Sequence, residues 1–406
     1  MTGNGLFEEI DGGVTAPHGF LAGGLFAGIR KAKKDVALIF SPTPALAAAV
    51  FTTNRTQAAP VLVDKEQLRK SSHCRAIAIN SGNANACTGE RGLTDAWEMV
   101  DTTARALGIP REEVLISSTG VIGQYLPMDK ILPGIETLAK QLTATGSHDA
   151  AEAIMTTDTH AKEAAVRFSV DGASVTVGAI AKGSGMIAPN MATMLAFVTT
   201  DAVIELPALQ QALRAATRVS FNRISVDGDM STNDMLGILA NGLAGNPVIT
   251  TGSASFKAFQ HALTFVLVRL AKMIARDGEG ATKLVEVHVT GAATEDAAEQ
   301  AARAVANSNL VKTAIHGADA NWGRIIAAVG YSGIEFSPDL VEIGFNTVPV
   351  LRKNYKIVLN EEKAKAELLK ENVTIMINLN QGTAHARFWT CDLTKDYVHI
   401  NASYRS

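Results

Sequence analysis

Apolar positions along this chain fall either into short continuous runs or into longer stretches at helical spacing, and the two alternate throughout. Val36 to Phe40 and Leu46 to Phe51 read as buried strands, parted by Ser41-Pro42-Thr43-Pro44. Ala76 to Ile79, Val114 to Ile116 and Leu284 to Val289 are further strand runs, joined near the end by Leu340 to Ile343, Val373 to Asn378 and Ala386 to Thr390. Val166 to Val170 and Ser174 to Val177 flank Asp171-Gly172, a hairpin signal. Helical spacing marks 64–71, Asp95 to Leu107 with its stop at Gly108, Met128 to Leu142, and 207–217. It also marks Phe256 to Arg276, where Phe259, Leu263, Leu267, Leu270 and Ile274 make one stripe, then Thr294 to Ala306 and Ile325 to Val329. Strands with hairpin signals mixed with helices predict an α+β fold with helices covering stacked sheets.

The most informative stretch runs from Ala181 to Asp201. It opens as a Gly-rich loop carrying Lys182, turns at Pro189-Asn190 and ends as an apolar run of strand length, with Ala192-Thr193 at the hinge. A Thr placed there can attack the peptide bond before it and become a new chain terminus. Its α-amino group, with an ordinary pKa near 8, then serves as general base for its own hydroxyl. The dipeptide alone does not decide this, because Ala-Thr recurs at 144–145, 216–217 and 281–282 and a strand Thr needs no function.

The longer string Lys182-Gly-Ser-Gly-Met-Ile-Ala-Pro-Asn-Met-Ala-Thr-Met-Leu-Ala-Phe197 closely resembles the cleavage segment of the ornithine acetyltransferase (glutamate N-acetyltransferase) family. Blocks at Asn80–Gly89, Ser117–Gly123, Phe221–Asp234, Asp277–Lys283, Val311–Arg324 and the tail Tyr397–Ser406 continue the resemblance. It implies an αββα sandwich resembling N-terminal-nucleophile hydrolases, cut between Ala192 and Thr193 into fragments 1–192 and 193–406 that associate as α2β2. Thr193 is then the nucleophile, and Thr119 with Gly120 forms the oxyanion hole. Thr156 (or Thr157, close in register), Lys182, Thr193, Glu279, Asn401 and Ser406 are the expected substrate contacts. N-acetylornithine and glutamate are the expected substrates, and acetyl-CoA stays open as a second acetyl donor. No other cofactor is expected. Three departures are visible: no proline follows Thr159, Met230 replaces a hydroxyl residue, and Ser406 stands where Thr is common.

Composition narrows the alternatives. A net charge of -3 over 406 residues, without a long basic run, argues against nucleic acid and anionic membranes as partners. Cys74, Cys87 and Cys391 make no C-x-x-C pair, so a zinc site is not expected, and a reducing cytoplasm fits. Asp227, Asp229 and Ser231 have calcium-loop spacing, but Thr232 occupies the glycine position, so no metal is expected there either. The best apolar segment, Ala262 to Ala275, is broken by Arg269 and Lys272, and the N-terminus lacks a secretory pattern. Three rivals remain. An amidase of related fold would pass the acyl group to water. A penicillin-binding-type serine enzyme, suggested by Ser231-Thr232-Asn233, lacks its S-x-x-K. A binding module would leave the chain uncut. His316 is a further general-base candidate, though an N-terminal Thr carries its own.

Overall fold

The computed structural model describes residues 7–188 and 194–403. The expected positions Ala192, Thr193 and Ser406 lie outside the described residues, and the split into 1–192 and 193–406 is therefore read from sequence alone.

One bent strand, Val36–Phe51, organises the larger sheet. The two runs expected from the sequence are one 16-residue strand, whose pairing with His73–Asn83 is irregular between Phe40 and Ala45. Pro42 and Pro44 explain this, because proline stays extended but has no N–H to give a ladder. Before the bend the strand pairs with Leu21–Leu25 and His73–Asn83; after it, Ala45 and Leu46 still meet Cys74 and His73, and Leu46 to Phe51 pair with Met235–Ala240. Beyond Met235–Ala240 come Leu195–Thr200, Ala173–Lys182, Lys162–Val170 and Glu8–Ile10, and Val114–Val121 closes the other edge.

Alternation along these strands sorts side chains into layers. Ala37, Ile39, Ile77, Ile79 and Leu115 share one buried cluster with Ile180, Leu195, Phe197, Met235 and Leu239, so the two halves of the sheet pack face to face. On the outside of the first half, Val36, Leu38, Ala76, Ala78, Val114 and Ile116 meet the helices Ala59–Lys70, Gly89–Leu107 and Met128–Leu138. On the outside of the second, Val177, Ala179, Ala196, Val198, Leu236 and Ile238 meet Leu206–Arg218 and Ala254–Arg276. Helix, sheet, sheet, helix is the αββα order. Each fully buried Leu, Ile or Phe in it contributes about 1.5–3 kcal/mol of transfer free energy.

A second sheet of six strands, from Leu284–Ala292 to Ala384–Cys391, buries one face under Glu295–Ala306, Asn309–His316 and Trp322–Gly330. From its other face Trp389 and Cys391 join the core beside Ala254–Arg276. That helix is long and apolar enough to cross a membrane by length and composition, yet Phe259, Leu263, Leu267, Leu270 and Ile274 are wholly buried between the two sheets. It is a core helix.

Candidate active site

The hairpin Lys162–Val170 and Ala173–Lys182 turns at Asp171-Gly172, both with positive φ (49° and 88°), as an Asp-Gly turn requires. Its register carries Lys182 to the strand end opposite Leu195, two residues after Thr193 in sequence. Lys182 was expected in a loop. It is the last strand residue and only 3% exposed. Its Nζ donates to Thr156 Oγ1 at 2.7 Å and to Thr119 Oγ1 at 3.5 Å, and stands 3.9 Å from Asp158 Oδ2. Burial pushes the Lys182 pKa down, and the carboxylates of Asp158, Asp234 and Glu279 recover only part of the loss.

Thr119 and Gly120 were expected in a turn beyond a short strand; they lie within Val114–Val121, where the parallel ladder to His73–Asn83 breaks register at Gly82 and Asn83. Gly120 has φ +134°, and a Cβ there would stand 2.3 Å from the Gly82 carbonyl carbon and 2.5 Å from Asn83 N. Only glycine fits. The Asn-rich loop after Ile79 supplies the wall. Asn80 Nδ2 donates to Asn83 O at 2.9 Å, Ser118 Oγ donates to Asn80 Oδ1 at 2.6 Å, and Asn233 Nδ2 donates to Ala84 O and Ser118 O.

Thr156, rather than Thr157, presents the hydroxyl that Lys182 reaches. Its backbone is held from both sides, by Asp158 Oδ2 accepting Thr156 N at 3.0 Å and by Arg30 donating to Met155 O and Thr156 O at 2.6 and 2.9 Å. Glu279, an expected substrate contact, is only 8% exposed. Its N–H donates to Ser184 O at 3.1 Å, and its Oε2 accepts from Asn401 Nδ2 at 2.7 Å. A Cβ on Gly185 would fall 2.4 Å from Glu279 Cδ. The loop that follows Lys182 thus gathers Glu279 and Asn401 beside the hydroxyl cluster.

A basic group among hydroxyls, a glycine-walled strand end and a carboxylate with an amide are thus brought together, an arrangement that can bind a small zwitterion. The ArgJ family profile matches residues 21–406. The chain belongs to the ArgJ family. Similar proteins include the "arginine biosynthesis bifunctional protein ArgJ" of Symbiobacterium thermophilum, 54% identical over 402 residues that cover 98% of this chain and 100% of that one. The protein of that name from Caldanaerobacter subterraneus subsp. tengcongensis is 52% identical over 403 residues, covering 98% and 100%. The crystal structure of the ArgJ protein from Bacillus halodurans matches with 51% identity and a TM-score of 0.51, covering 52% of this chain and 100% of that one.

In this ArgJ chain several residues with no sequence-stated role support the site. Asp227, the first residue of the supposed calcium loop, accepts Met186 N and Ile187 N at 2.7 and 2.8 Å and the Tyr397 hydroxyl at 3.3 Å. It shapes the Gly-rich loop, with Met186 at φ 57°. Among the described residues no group of three or more His, Cys, Asp or Glu could hold a metal ion. His316 Nδ1 meets Asp392 Oδ2 at 2.9 Å in a separate cluster, where Asp392 also accepts Thr282 N, Thr282 Oγ1 and Lys283 N. Arg30 and Lys162 were missed because Arg30 acts on the backbone of the distant Met155 and Thr156, Lys162 ties Asp158 to the distant Asp277, and an isolated basic residue carries no motif.

Proposed function

We propose that this ArgJ chain moves the acetyl group of N-acetylornithine to glutamate through an acetyl ester on Thr193. Membership of the family makes it an enzyme of arginine biosynthesis, and the buried Lys182 with the Thr156 and Thr119 hydroxyls is the observation that carries the assignment of its chemistry. Thr193 first attacks the Ala192 carbonyl, and water hydrolyses the ester, leaving a free α-amine. That amine takes the hydroxyl proton as Thr193 attacks the acetyl carbonyl; Thr119 with Gly120 stabilises the oxyanion, and ornithine leaves with the proton. Glutamate's amine then attacks the ester, and the proton returns to Thr193.

Lys182 and Thr156 hold the amino acid's carboxylate, Glu279 pairs with the ornithine ammonium, and Asn401 and Ser406 are further substrate contacts. That 52% of this chain spans the whole Bacillus halodurans chain supports a protein that exists as two pieces. The two fragments associate as α2β2 in the cytoplasm, and no other cofactor is needed. The word "bifunctional" in the relatives' names supports acetyl-CoA as a second donor, which acetylation of Thr193 by acetyl-CoA alone would test.

Denaturing mass spectrometry with N-terminal sequencing tests the cut, and initial-rate kinetics test the transfer. Fragments 1–192 and 193–406, an acetyl mass on the second, and parallel double-reciprocal lines are expected. An active uncut chain, or intersecting lines without an adduct, would sink the scheme, and product formation independent of glutamate would favour the amidase.

A further inference from the structure

Lys162, Asp158 and Asp277 form a buried charged group that none of these steps uses. Lys162 has no exposed surface, and its Nζ donates to Asp158 Oδ1 at 2.7 Å and Asp277 Oδ2 at 2.6 Å. Asp158 Oδ1 also accepts Gly183 N at 2.7 Å, and its Oδ2 accepts Thr156 N at 3.0 Å. Asp277 holds Thr159 through its N–H, at 3.1 Å, and its hydroxyl, and faces His160 Nδ1 at 3.3 Å. Ser184 Oγ donates to Asp277 O at 2.6 Å, which ties this group to the loop carrying Glu279.

A buried ion pair is weak evidence for stability, because desolvation offsets most of the attraction. The geometry here accounts for something else. Asp158 is a carboxylate close to Lys182, yet Lys182 stays 3.9 Å away and bonds two neutral hydroxyls instead. Lys162 and Gly183 N already occupy Asp158 Oδ1, and Thr156 N occupies Oδ2. With its charge compensated, Asp158 does not draw Lys182 off Thr156.

We propose that Lys162 is a positioning residue, whose ammonium satisfies Asp158 and so keeps the Lys182 ammonium on the Thr156 and Thr119 hydroxyls. The inference rests on the acyl-transfer reading above. Asp158, Lys162 and Lys182 precede the cut and Asp277 follows it, so Lys162 also aligns the two pieces across the site. The charged groups around Lys182 are Asp158, Lys162, Asp234 and Glu279. Losing Lys162 removes a repelling cation and frees an attracting carboxylate, and both effects hold the proton on Lys182 to higher pH.

Two variants test this. Lys162→Met leaves Asp277 uncompensated and is expected to lose stability, whereas Lys162→Met/Asp277→Asn removes the buried pair together and keeps Asp158 facing Lys182. Acetyl transfer is measured on fully cut protein, with kcat, KM, the pH profile and acetyl occupancy of Thr193 as readouts. In the double variant kcat should fall roughly ten- to a hundredfold, since misplacement on the order of 1 Å at an acyl-transfer centre costs that much. KM should change less than kcat, and the fall in activity at high pH should move to higher pH. A double variant with the parent's kcat and pH profile overturns the proposal while leaving the reaction standing. A parent enzyme that never forms acetyl-Thr193 overturns both.

Discussion

Asn401 Nδ2 meets Glu279 Oε2 at 2.7 Å although the two residues are 122 positions apart. The last described helix, Lys395–Ser403, is thereby tied to the turn that carries Glu279, and Thr394 Oγ1 donating to Gly280 O at 2.8 Å fixes its start. Glu279 has Oε2 tied to the helix, and on the proposed reading its other oxygen meets the cationic side chain. Glu279→Gln should reduce kcat/KM for N-acetylornithine by about tenfold or more, in line with 1.5–3 kcal/mol for a charged hydrogen bond. Acetylated amino acids with neutral side chains should lose much less. Equal losses measured in a substrate panel would remove Glu279 from ammonium recognition.

Gly120→Ala should cut kcat on the order of a hundredfold, the usual cost of losing an oxyanion donor. The added methyl meets the Gly82 and Asn83 backbone, at 2.3 and 2.5 Å, and neither can move without breaking the ladder around Asn80. Thr119→Ala should give a loss of the same order with less effect on folding, since it removes a hydroxyl and adds no bulk. Single-turnover acetylation of Thr193 in protein of unchanged circular dichroism distinguishes the chemical step from binding. A fully active Thr119→Ala enzyme rejects the assignment.

The pH profile of kcat/KM should be bell-shaped. Activity rises as the Thr193 amine loses its proton near pH 8, the ordinary value for an α-amino group. It falls as Lys182 loses its own, below the ordinary lysine value of 10.5, because burial disfavours the ammonium. Lys182→Met should lower activity and abolish the falling limb, which a profile from pH 6 to 11 would reveal. A limb unchanged in Lys182→Met belongs to another group.

Asp64 offers a test of stability away from the site. It is wholly buried in the helix Ala59–Lys70; Oδ1 accepts Ile116 N at 2.9 Å, and Oδ2 has no hydrogen-bond partner among the described residues. Burial raises its pKa well above 3.8, so the folded chain holds a proton that the unfolded chain releases. Stability from this group is therefore complete below the unfolded value and declines as pH rises from about 4 through the folded value. Asp64→Asn should flatten that decline and gain on the order of 1 kcal/mol at pH 8. Urea midpoints at pH 5 and pH 8 measure it; an equal change at both pH values would place the effect in packing instead of charge.

Local signals gave the elements but not their joins. The stripe from Phe259 to Ile274 marked the long helix within two residues of its ends, because one apolar face at helical spacing has no other use. The bend in Val36–Phe51 was visible only as a gap, since two prolines look like a loop unless the pairing of both halves is known. The helices Asn309–His316 and Lys395–Ser403 are only two turns long; Val311, Ala314 and Ile315 make a stripe of a single turn in the first, and the second buries no residue. Long motif matches pointed to Thr119, Gly120, Thr156, Lys182, Glu279 and Asn401, which the fold brings together. The ion pairs of Lys162 were not, for they join 158, 162 and 277 and depend on burial that sequence spacing does not encode.

The strand Leu195–Thr200 lies between Ala173–Lys182 and Met235–Ala240, and the latter leans on the bent strand Val36–Phe51. Pieces on either side of residue 192 therefore alternate within one ladder. If the backbone is cut there as proposed, unfolding is also dissociation, and its midpoint should rise with protein concentration by mass action. Refolding is second order, and dilution rather than temperature sets how long separated pieces wait. On the proposed cut, the chain has one opportunity to assemble as a single molecule, before Thr193 is freed.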